Sequence, residues 1–260
     1  MDIGVKDRTA VVCGGSKGMS RAAARRLSLE GARVVIVART PDSLEEAAGT
    51  ISRESGAPVA HFAADLTTAE GRAALVDAHP APDLLITNAG VPQRPIRYQE
   101  LSREEWLWWF DAHFFSAIDL IHAYAPGMCD RRFGRIVNVS ANFIKFPQVG
   151  VGHSHAARLA LAGAIASLVR EVAPYNVTIN SVLPGLVNTE ALQASLGSRA
   201  EARGVPYETI EREVRARTAA DRIADPQEVG DLIAILCASQ MGYVTGQNII
   251  NDGGSFQGLF

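Results

Sequence analysis

Residues 9–20 read TAVVCGGSKGMS, an apolar run that passes directly into a glycine-rich turn. A helical pattern follows at residues 21–29. A turn of this kind between a strand and a helix lets backbone N–H groups approach a pyrophosphate at the positive end of the helix. The segment therefore predicts a strand, a phosphate-binding turn and a helix, with Ser20 in place of the usual third glycine. The candidate phosphate contacts are Gly14, Ser16, Lys17, Gly18 and Met19.

The alternation of strands and helices continues along the whole chain. Further strand-length apolar runs lie at residues 34–38, 59–63, 84–88, 136–140, 177–182 and 248–251. Most are continuously apolar, which is typical of strands covered on both faces. Helix starts with a capping pattern are predicted at Asp42, Thr67, Ser102 and Asp225. The pattern predicts one α/β domain over residues 1–260, a Rossmann-type, doubly wound, parallel seven-stranded sheet with helices on both faces.

Composition narrows the class of protein. Among 260 residues, 25 Lys and Arg face 28 Asp and Glu, a net charge of −3 that does not favour nucleic-acid binding. No apolar run reaches the roughly 18 residues of a membrane span, and the first residues lack a signal-peptide pattern. We expect a cytoplasmic protein that acts on a small molecule. Cys13, Cys129 and Cys237 are widely spaced, so buried thiols are predicted rather than a metal site or disulfides.

The end of the second predicted strand indicates the choice of cofactor. Sites for NAD place an Asp or Glu there to bind the ribose hydroxyls, whereas this chain has Ala38-Arg39. Arg39 is suited to a 2′-phosphate, and Lys17 adds positive charge nearby. The sequence therefore favours NADP(H) over NAD(H), the alternative being that Arg39 is a solvated loop residue.

Residues 186–222 interrupt the rhythm of strands and helices. This stretch is polar and charged, and it follows the sixth predicted strand. An insertion after the carboxyl end of a strand lies where open α/β sheets bind ligands. We interpret it as a substrate lid, and a plain surface excursion is the alternative.

Several motifs follow the glycine turn in a recognisable order. They are Asp65-Leu66, Thr87-Asn88-Ala89-Gly90, 136–140, 180–185, and Gly246-Gln247 with Asp252-Gly253-Gly254. Together they resemble the short-chain dehydrogenase/reductase family over nearly the whole chain. The resemblance implies a homotetramer or homodimer. It also implies further cofactor contacts at Asp65, Leu66, Asn88, Ala89, Gly90, Arg158, Pro184, Gly185, Val187 and Thr189.

The same resemblance implies a catalytic set that this chain has altered. Typical members use an Asn, a Ser, a Tyr and a Lys, in which the Tyr is the acid or base and the Lys lowers its pKa. Here residues 158–163 match the stretch that begins at the Lys. Arg158 therefore takes the place of the Lys, and counting back from it gives Ser154 for the Tyr and Ala141 for the Ser. Trp106 sets the register of the helix that starts near Ser102 and gives His113 for the Asn. A register slip of one residue would pair Ser140 with His153, but it would place Ala157 at the Lys position.

The replacements leave the proton donor open. A serine hydroxyl is too weak an acid near neutral pH, and a guanidinium does not shuttle protons. Histidine titrates near pH 7, so His113, His153 and His155 are candidates, as is a water held by Ser154. All three histidines are alternatively polar residues without a catalytic part. Lys145 is expected to face the cleft, as a nucleophile or as a solvated lysine.

Three hypotheses about function follow. The first is an NADP(H)-dependent oxidoreductase acting on a carbonyl or hydroxy compound, in a divergent bacterial branch of the family. The second is a lyase, dehydratase or isomerase on the same fold, and the third is a cofactor-binding protein without catalysis. The aromatic run at residues 106–115 is interpreted as core and subunit-interface packing rather than a substrate or membrane patch.

Overall fold

A computed structural model describes residues 2–91 and 94–259. Its strands form one sheet in the order β3-β2-β1-β4-β5-β6-β7, and every pair is parallel. The strands are β1 (Thr9–Cys13), β2 (Arg33–Ala38), β3 (Ala60–Ala63), β4 (Leu84–Thr87), β5 (Gly134–Val139), β6 (Val177–Pro184) and β7 (Asn248–Asn251). All seven overlap the predicted apolar runs.

Helices cover both faces of the sheet. They are α1 (Gly18–Leu29), α2 (Pro41–Ser55), α3 (Ala69–Ala78), α4 (Arg103–Phe110), α5 (Ser116–Asp130), α6 (Gly152–Val172), α7 (Glu190–Arg203), α8 (Tyr207–Arg215) and α9 (Pro226–Leu236). Apolar side chains of α1, α2 and α9 pack on one face, and those of α3, α5 and α6 on the other. The predicted Rossmann-type doubly wound sheet is confirmed.

Several local predictions need correction. Helix α2 begins at Pro41 with Thr40 as its N-cap, not at Asp42. Helix α3 is capped by Thr68, not by Thr67, because the Thr68 hydroxyl accepts a hydrogen bond from the backbone N–H of Gly71. Strand β3 is largely exposed, because it lies at the edge of the sheet. The caps at Ser102 and at Asp225 are confirmed.

The strand order places a topological switch point between β1 and β4. Ligands of open α/β sheets bind at such a point, beyond the carboxyl ends of the strands. A buried polar ladder crosses the sheet there. The Thr87 hydroxyl donates to the side chain of Asn138 at 3.1 Å, and Asn138 donates to the Ser181 hydroxyl at 3.3 Å. These bonds link the ends of β4, β5 and β6 beside the switch point.

The insertion after β6 contains a pair of helices. α7 and α8 enclose a small apolar cluster of their own around Leu196, Ala200, Ile210 and Val214. Within the described ranges, no helix is long and apolar enough to cross a membrane, and no group of side chains has the arrangement of a metal site. Cys13 and Cys237 are buried as predicted, whereas Cys129 is only partly buried.

Candidate functional site

A cavity of about 610 Å³ opens at the switch point. Its walls come from the glycine turn, the ends of β2, β4 and β5, and the first turn of α7. Most of the predicted cofactor contacts line it: Gly14, Ser16, Lys17, Gly18, Met19, Arg39, Leu66, Asn88, Ala89, Gly90, Arg158 and Thr189. These residues, which are far apart in the sequence, therefore share one cavity.

Four predicted cofactor contacts lie outside its walls. The carboxylate of Asp65 accepts hydrogen bonds within the turn before α3. Pro184 is buried at the end of β6, and Gly185 packs so closely on Asp252 that a Cβ would lie 2.6 Å from the Asp252 side chain. Val187 is buried in the segment that leads to α7. In this structure these four residues pack behind the cavity wall and do not form its surface.

Close backbone approach explains the glycines of the turn. Gly14 has a φ of +66°, which favours glycine, and a Cβ there would lie 3.0 Å from the carbonyl oxygen of Asn88. A Cβ on Gly15 would lie 2.8 Å from that of Ile36. Ser20 is fully buried, and its hydroxyl accepts a 2.9 Å hydrogen bond from Asn88. The serine therefore ties α1 to the turn after β4, in addition to allowing close packing.

Two cations lie at the outer part of the cavity, in different situations. Lys17 forms a 2.6 Å ion pair with Glu190, so it joins the glycine turn to the first turn of α7. Arg39 is exposed, and neither an ion pair nor a side-chain hydrogen bond is found for it among residues 2–91 and 94–259. The sequence indicated both cations but not Glu190, because no local pattern brings α7 to the glycine turn.

Arg158 lies at the inner end of the cavity. It lies one helical turn from Ser154, and its Nε donates to the Ser154 hydroxyl at 3.2 Å. Its Nη1 donates to the carbonyl oxygen of Val139, also at 3.2 Å. Burial lowers the pKa of Arg158 to about 10, because the site desolvates its charge. Ser154 is fully buried, and Ala141, which is partly buried, has no polar side-chain atom. Neither residue therefore offers a proton donor to the cavity.

Two buried histidines pack against one tryptophan next to Arg158. The ring of Trp109 lies 5.2 Å from that of His113 and 4.3 Å from that of His153. Burial lowers the pKa of His113 to about 2, with further lowering from the charges of Arg158 and His153. The pKa of His153 is also lowered, chiefly by burial. Both rings are therefore neutral near pH 7.

The same cluster holds buried polar atoms that find no partner within the described chain. They are Nε1 of Trp109, Nε2 of His113, Oγ of Ser140 and both ring nitrogens of His153. His113 lies in a turn of π-helix at Asp111–Phe115 between α4 and α5. Such turns occur frequently at functional sites, and buried polar atoms are normally satisfied by ordered water or a ligand. Sequence reasoning missed Trp109, because its aromatic neighbours indicated only packing.

The remaining candidates, His155 and Lys145, do not line the cavity. His155 is partly buried, with its ring 6.2 Å from that of Phe143. Lys145 is exposed and is not among the residues that line the cavity, so the expectation that it faces the cleft stays a prediction. A second cavity, of about 760 Å³, shares Arg39 and Val91 with the first and includes Trp108 and Trp109 in its wall.

The fold and the cavity define a dinucleotide-binding protein of the doubly wound class. The sequence pattern of the family described as Enoyl-(Acyl carrier protein) reductase matches residues 14–255. This chain belongs to the short-chain dehydrogenase/reductase family.

Relatives of this chain include several reductases. An acetoacetyl-CoA reductase of Rhizobium meliloti is 28% identical over 253 residues, covering 96% of this chain and 98% of that protein. The structure of L-sorbose reductase from Gluconobacter frateurii, complexed with NADPH and L-sorbose, has a TM-score of 0.94 at 28% identity over all of both chains. A 3-oxoacyl (acyl-carrier-protein) reductase from Agrobacterium tumefaciens with NADP bound has a TM-score of 0.87 at 26% identity, covering 97% of this chain and 96% of that one.

Proposed function

We propose that the protein is an NADP(H)-dependent oxidoreductase that interconverts a carbonyl and a hydroxy compound by hydride transfer. The observation that carries the proposal is a cavity that combines the glycine turn with an arginine, Arg39, free of any ion pair in the described chain. The Gluconobacter and Agrobacterium reductases with NADPH or NADP bound support the same cofactor. The resemblance to these reductases does not identify the substrate of this protein.

The residues of the cavity fit such a cofactor. A Cβ on Gly14 or Gly15 would press on neighbouring atoms, so the turn keeps its backbone open to a pyrophosphate at the start of α1. Arg39 is placed to bind a 2′-phosphate, and a guanidinium binds phosphate through paired hydrogen bonds. By the family resemblance, Arg158 and Thr189 would hold the nicotinamide half of the cofactor. When bound, the cofactor supplies or accepts the hydride.

In typical members of the family a tyrosine gives or takes the proton of the carbonyl or hydroxy group. In this protein another source of the proton is required. His113 and His153 are neutral near pH 7, and neither lines the cavity. Ser140 does line it, and its buried hydroxyl is without a partner in the described chain. We infer that a water molecule in the cavity exchanges the proton between the substrate and solvent.

Nucleotide titration tests the cofactor assignment. Replacing Arg39 by Ala removes the phosphate contact, so we expect the Kd for NADPH to rise about 10- to 100-fold, consistent with 1–3 kcal/mol for a charged hydrogen bond. The Kd for NADH should change little. Arg33→Ala, at the opposite end of β2, is the matched control and should leave both constants unchanged. Equal loss of NADPH and NADH binding would contradict the assignment.

A cofactor-binding protein without hydride transfer is the second candidate function. The observation that favours it is that the cavity wall offers no replacement for the tyrosine as an acid. The ionisable residues of the wall are Lys17, Arg39, Arg158 and Glu190. The two candidates differ in one measurement. Oxidation of NADPH by a panel of carbonyl compounds supports the oxidoreductase, whereas tight NADPH binding without turnover on any of them supports the second.

A further inference from the structure

The charge of Arg158 has no counter-ion in the described chain. Its guanidinium lines the cavity, yet no carboxylate forms an ion pair with it. Glu190 is the acidic residue of the cavity wall, and it is already paired with Lys17. The nearby ionisable side chains, His113 and His153, are neutral near pH 7. A partly desolvated cation in these surroundings favours an anion that arrives from outside the protein.

The guanidinium of Arg158 also has N–H donors that make no hydrogen bond in the described chain. Of its five N–H groups, one on Nε is used by Ser154 and one on Nη1 by Val139. Nη2 makes no hydrogen bond within residues 2–91 and 94–259. It is also not one of the fully buried polar atoms that lack a partner. The fork of a guanidinium matches the two oxygens of a carboxylate. Both used donors hold the side chain in place, so the free edge is oriented in advance.

A second donor lies in the same wall. Ser140 directly follows β5, whose last residue, Val139, anchors Arg158 through its carbonyl oxygen. The Ser140 hydroxyl is buried, lines the cavity and has no partner in the described chain. A hydroxyl and a guanidinium in the same cavity wall form a small donor set for one anionic group. A neutral ketone would leave part of this set unsatisfied.

Building on the proposed function, we propose that the substrate is an oxo acid or hydroxy acid whose carboxylate binds Arg158 and Ser140. In the direction of reduction, the carbonyl carbon gains a hydride and the carbonyl oxygen gains one proton from solvent, while NADPH becomes NADP⁺. The carboxylate is unchanged and serves only to hold the substrate. The guanidinium thus replaces a lysine that in typical members acts on a tyrosine.

Calorimetric titration of the NADP⁺-loaded protein tests the proposal without turnover. The probes are 2-oxobutyrate and acetoacetate, each compared with its methyl ester, which keeps the carbonyl and removes the charge. We expect at least one acid to bind tenfold or more tightly than its ester. Arg158→Gln should abolish this preference, and Arg158→Lys should retain only part of it. The matched control is Arg170→Gln on the exposed side of α6, which should leave the preference intact.

The outcomes separate this inference from the proposed function. If NADP⁺ binds but acids and esters bind alike, the carboxylate site is wrong and the cofactor assignment stands. If the acids displace NADP⁺ instead of adding to it, the anion at Arg158 belongs to the cofactor and the inference is overturned. If NADP⁺ itself fails to bind, the proposed function fails first. Should Arg158→Gln not fold, Ser140→Ala is the second variant, with an expected loss of several-fold in affinity for the acid only.

Discussion

His113 is a residue whose surroundings determine its chemistry. It lies in the π-helical turn beside Trp109, almost fully buried and close to the charge of Arg158. Burial and the charge of Arg158 both disfavour the imidazolium form. The position that the family resemblance connects with a proton relay therefore holds a neutral ring here, one that can direct a hydrogen bond but cannot act as a cationic acid.

The lowered pKa of His113 predicts a pH dependence of stability. Below its ordinary pKa of 6.5, the unfolded chain binds a proton at this residue and the folded chain does not until about pH 2. The folded state is therefore destabilised as the pH falls, by up to about 1.4 kcal/mol per pH unit. His113→Asn should flatten the fall in unfolding free energy between pH 6 and pH 4, as measured with urea. His122→Asn, on the exposed side of α5, is the control. An unchanged slope would show that His113 is protonated in the folded protein.

At the scale of single residues, local sequence patterns located the residues of the cavity wall but did not locate a proton donor. Gly14 and Gly18 lie in the turn directly after β1, and Arg39 follows directly after β2. Their positions can therefore be predicted from the sequence once the strands are located. The contact of His153 with Trp109 depends on how α4 and α6 pack together, whereas His113 follows Trp109 by four residues in the chain. That packing is set by elements more than forty residues apart in the sequence, and no short motif records it.

Among the elements, α1 and α9 pack most closely. A Cβ added to Gly230 of α9 would lie 2.6 Å from a backbone atom of Ala22 in α1. The helix that follows the phosphate turn is thus held directly against its neighbour. Ala22 follows Gly18 by four residues, so this contact fixes the start of α1 next to the glycine turn.

Gly230→Ala should consequently destabilise the protein by about 1–3 kcal/mol, the usual effect of overpacking a close contact. Gly163→Ala is the matched control, since Gly163 lies on the exposed side of α6 with no atom near its Cβ position. There the better helix propensity of alanine should add about 0.5–1 kcal/mol. Urea unfolding of both variants measures the difference, and a Gly230→Ala protein as stable as the parent would refute the close contact.

The elements were predicted more reliably than their ends. Strand β1 begins and ends where its apolar run does, while β6 continues to Pro184, two residues beyond the prediction. Helix α2 shows why boundaries are less certain. Pro41 suits the first helical position because it needs no N–H partner, and this preference outweighs the capping pattern at Asp42. Competition between adjacent signals of similar strength is not resolved by sequence alone.

For the molecule as a whole, the pair of helices after β6 joins the cofactor turn to the rest of the site. Glu190, Ala191 and Ala194 of α7 line the cavity, and Glu190 is paired with Lys17. The interpretation of residues 186–222 as a substrate lid stays a proposal that this placement supports. The implied homotetramer or homodimer also stays a prediction. Leu107, Trp108 and Phe115 are partly exposed between α4 and α5, on the surface for which an interface was expected.

If α7 acts as a lid, a nucleotide in the cavity should hold it closed. NADPH would contact the first turn of α7, so its opening should become less frequent when the cofactor binds. We expect saturating NADPH to slow tryptic cleavage at Arg199 and Arg203 several-fold, as followed by mass spectrometry. The Arg39→Ala variant at the same NADPH concentration provides the control and should lose this protection. Equal cleavage rates with and without bound NADPH would contradict the lid.

The complete burial of Ser154 constrains how this site could have arisen from an ordinary one, and how it could return. A tyrosine at residue 154 would bring a phenol ring into a space that now holds a hydroxymethyl group, bonded to Arg158 and enclosed on all sides. Overpacking on this scale destabilises a protein before any new chemistry appears. A tyrosine at residue 154 would therefore be accommodated only after the surrounding side chains had become smaller.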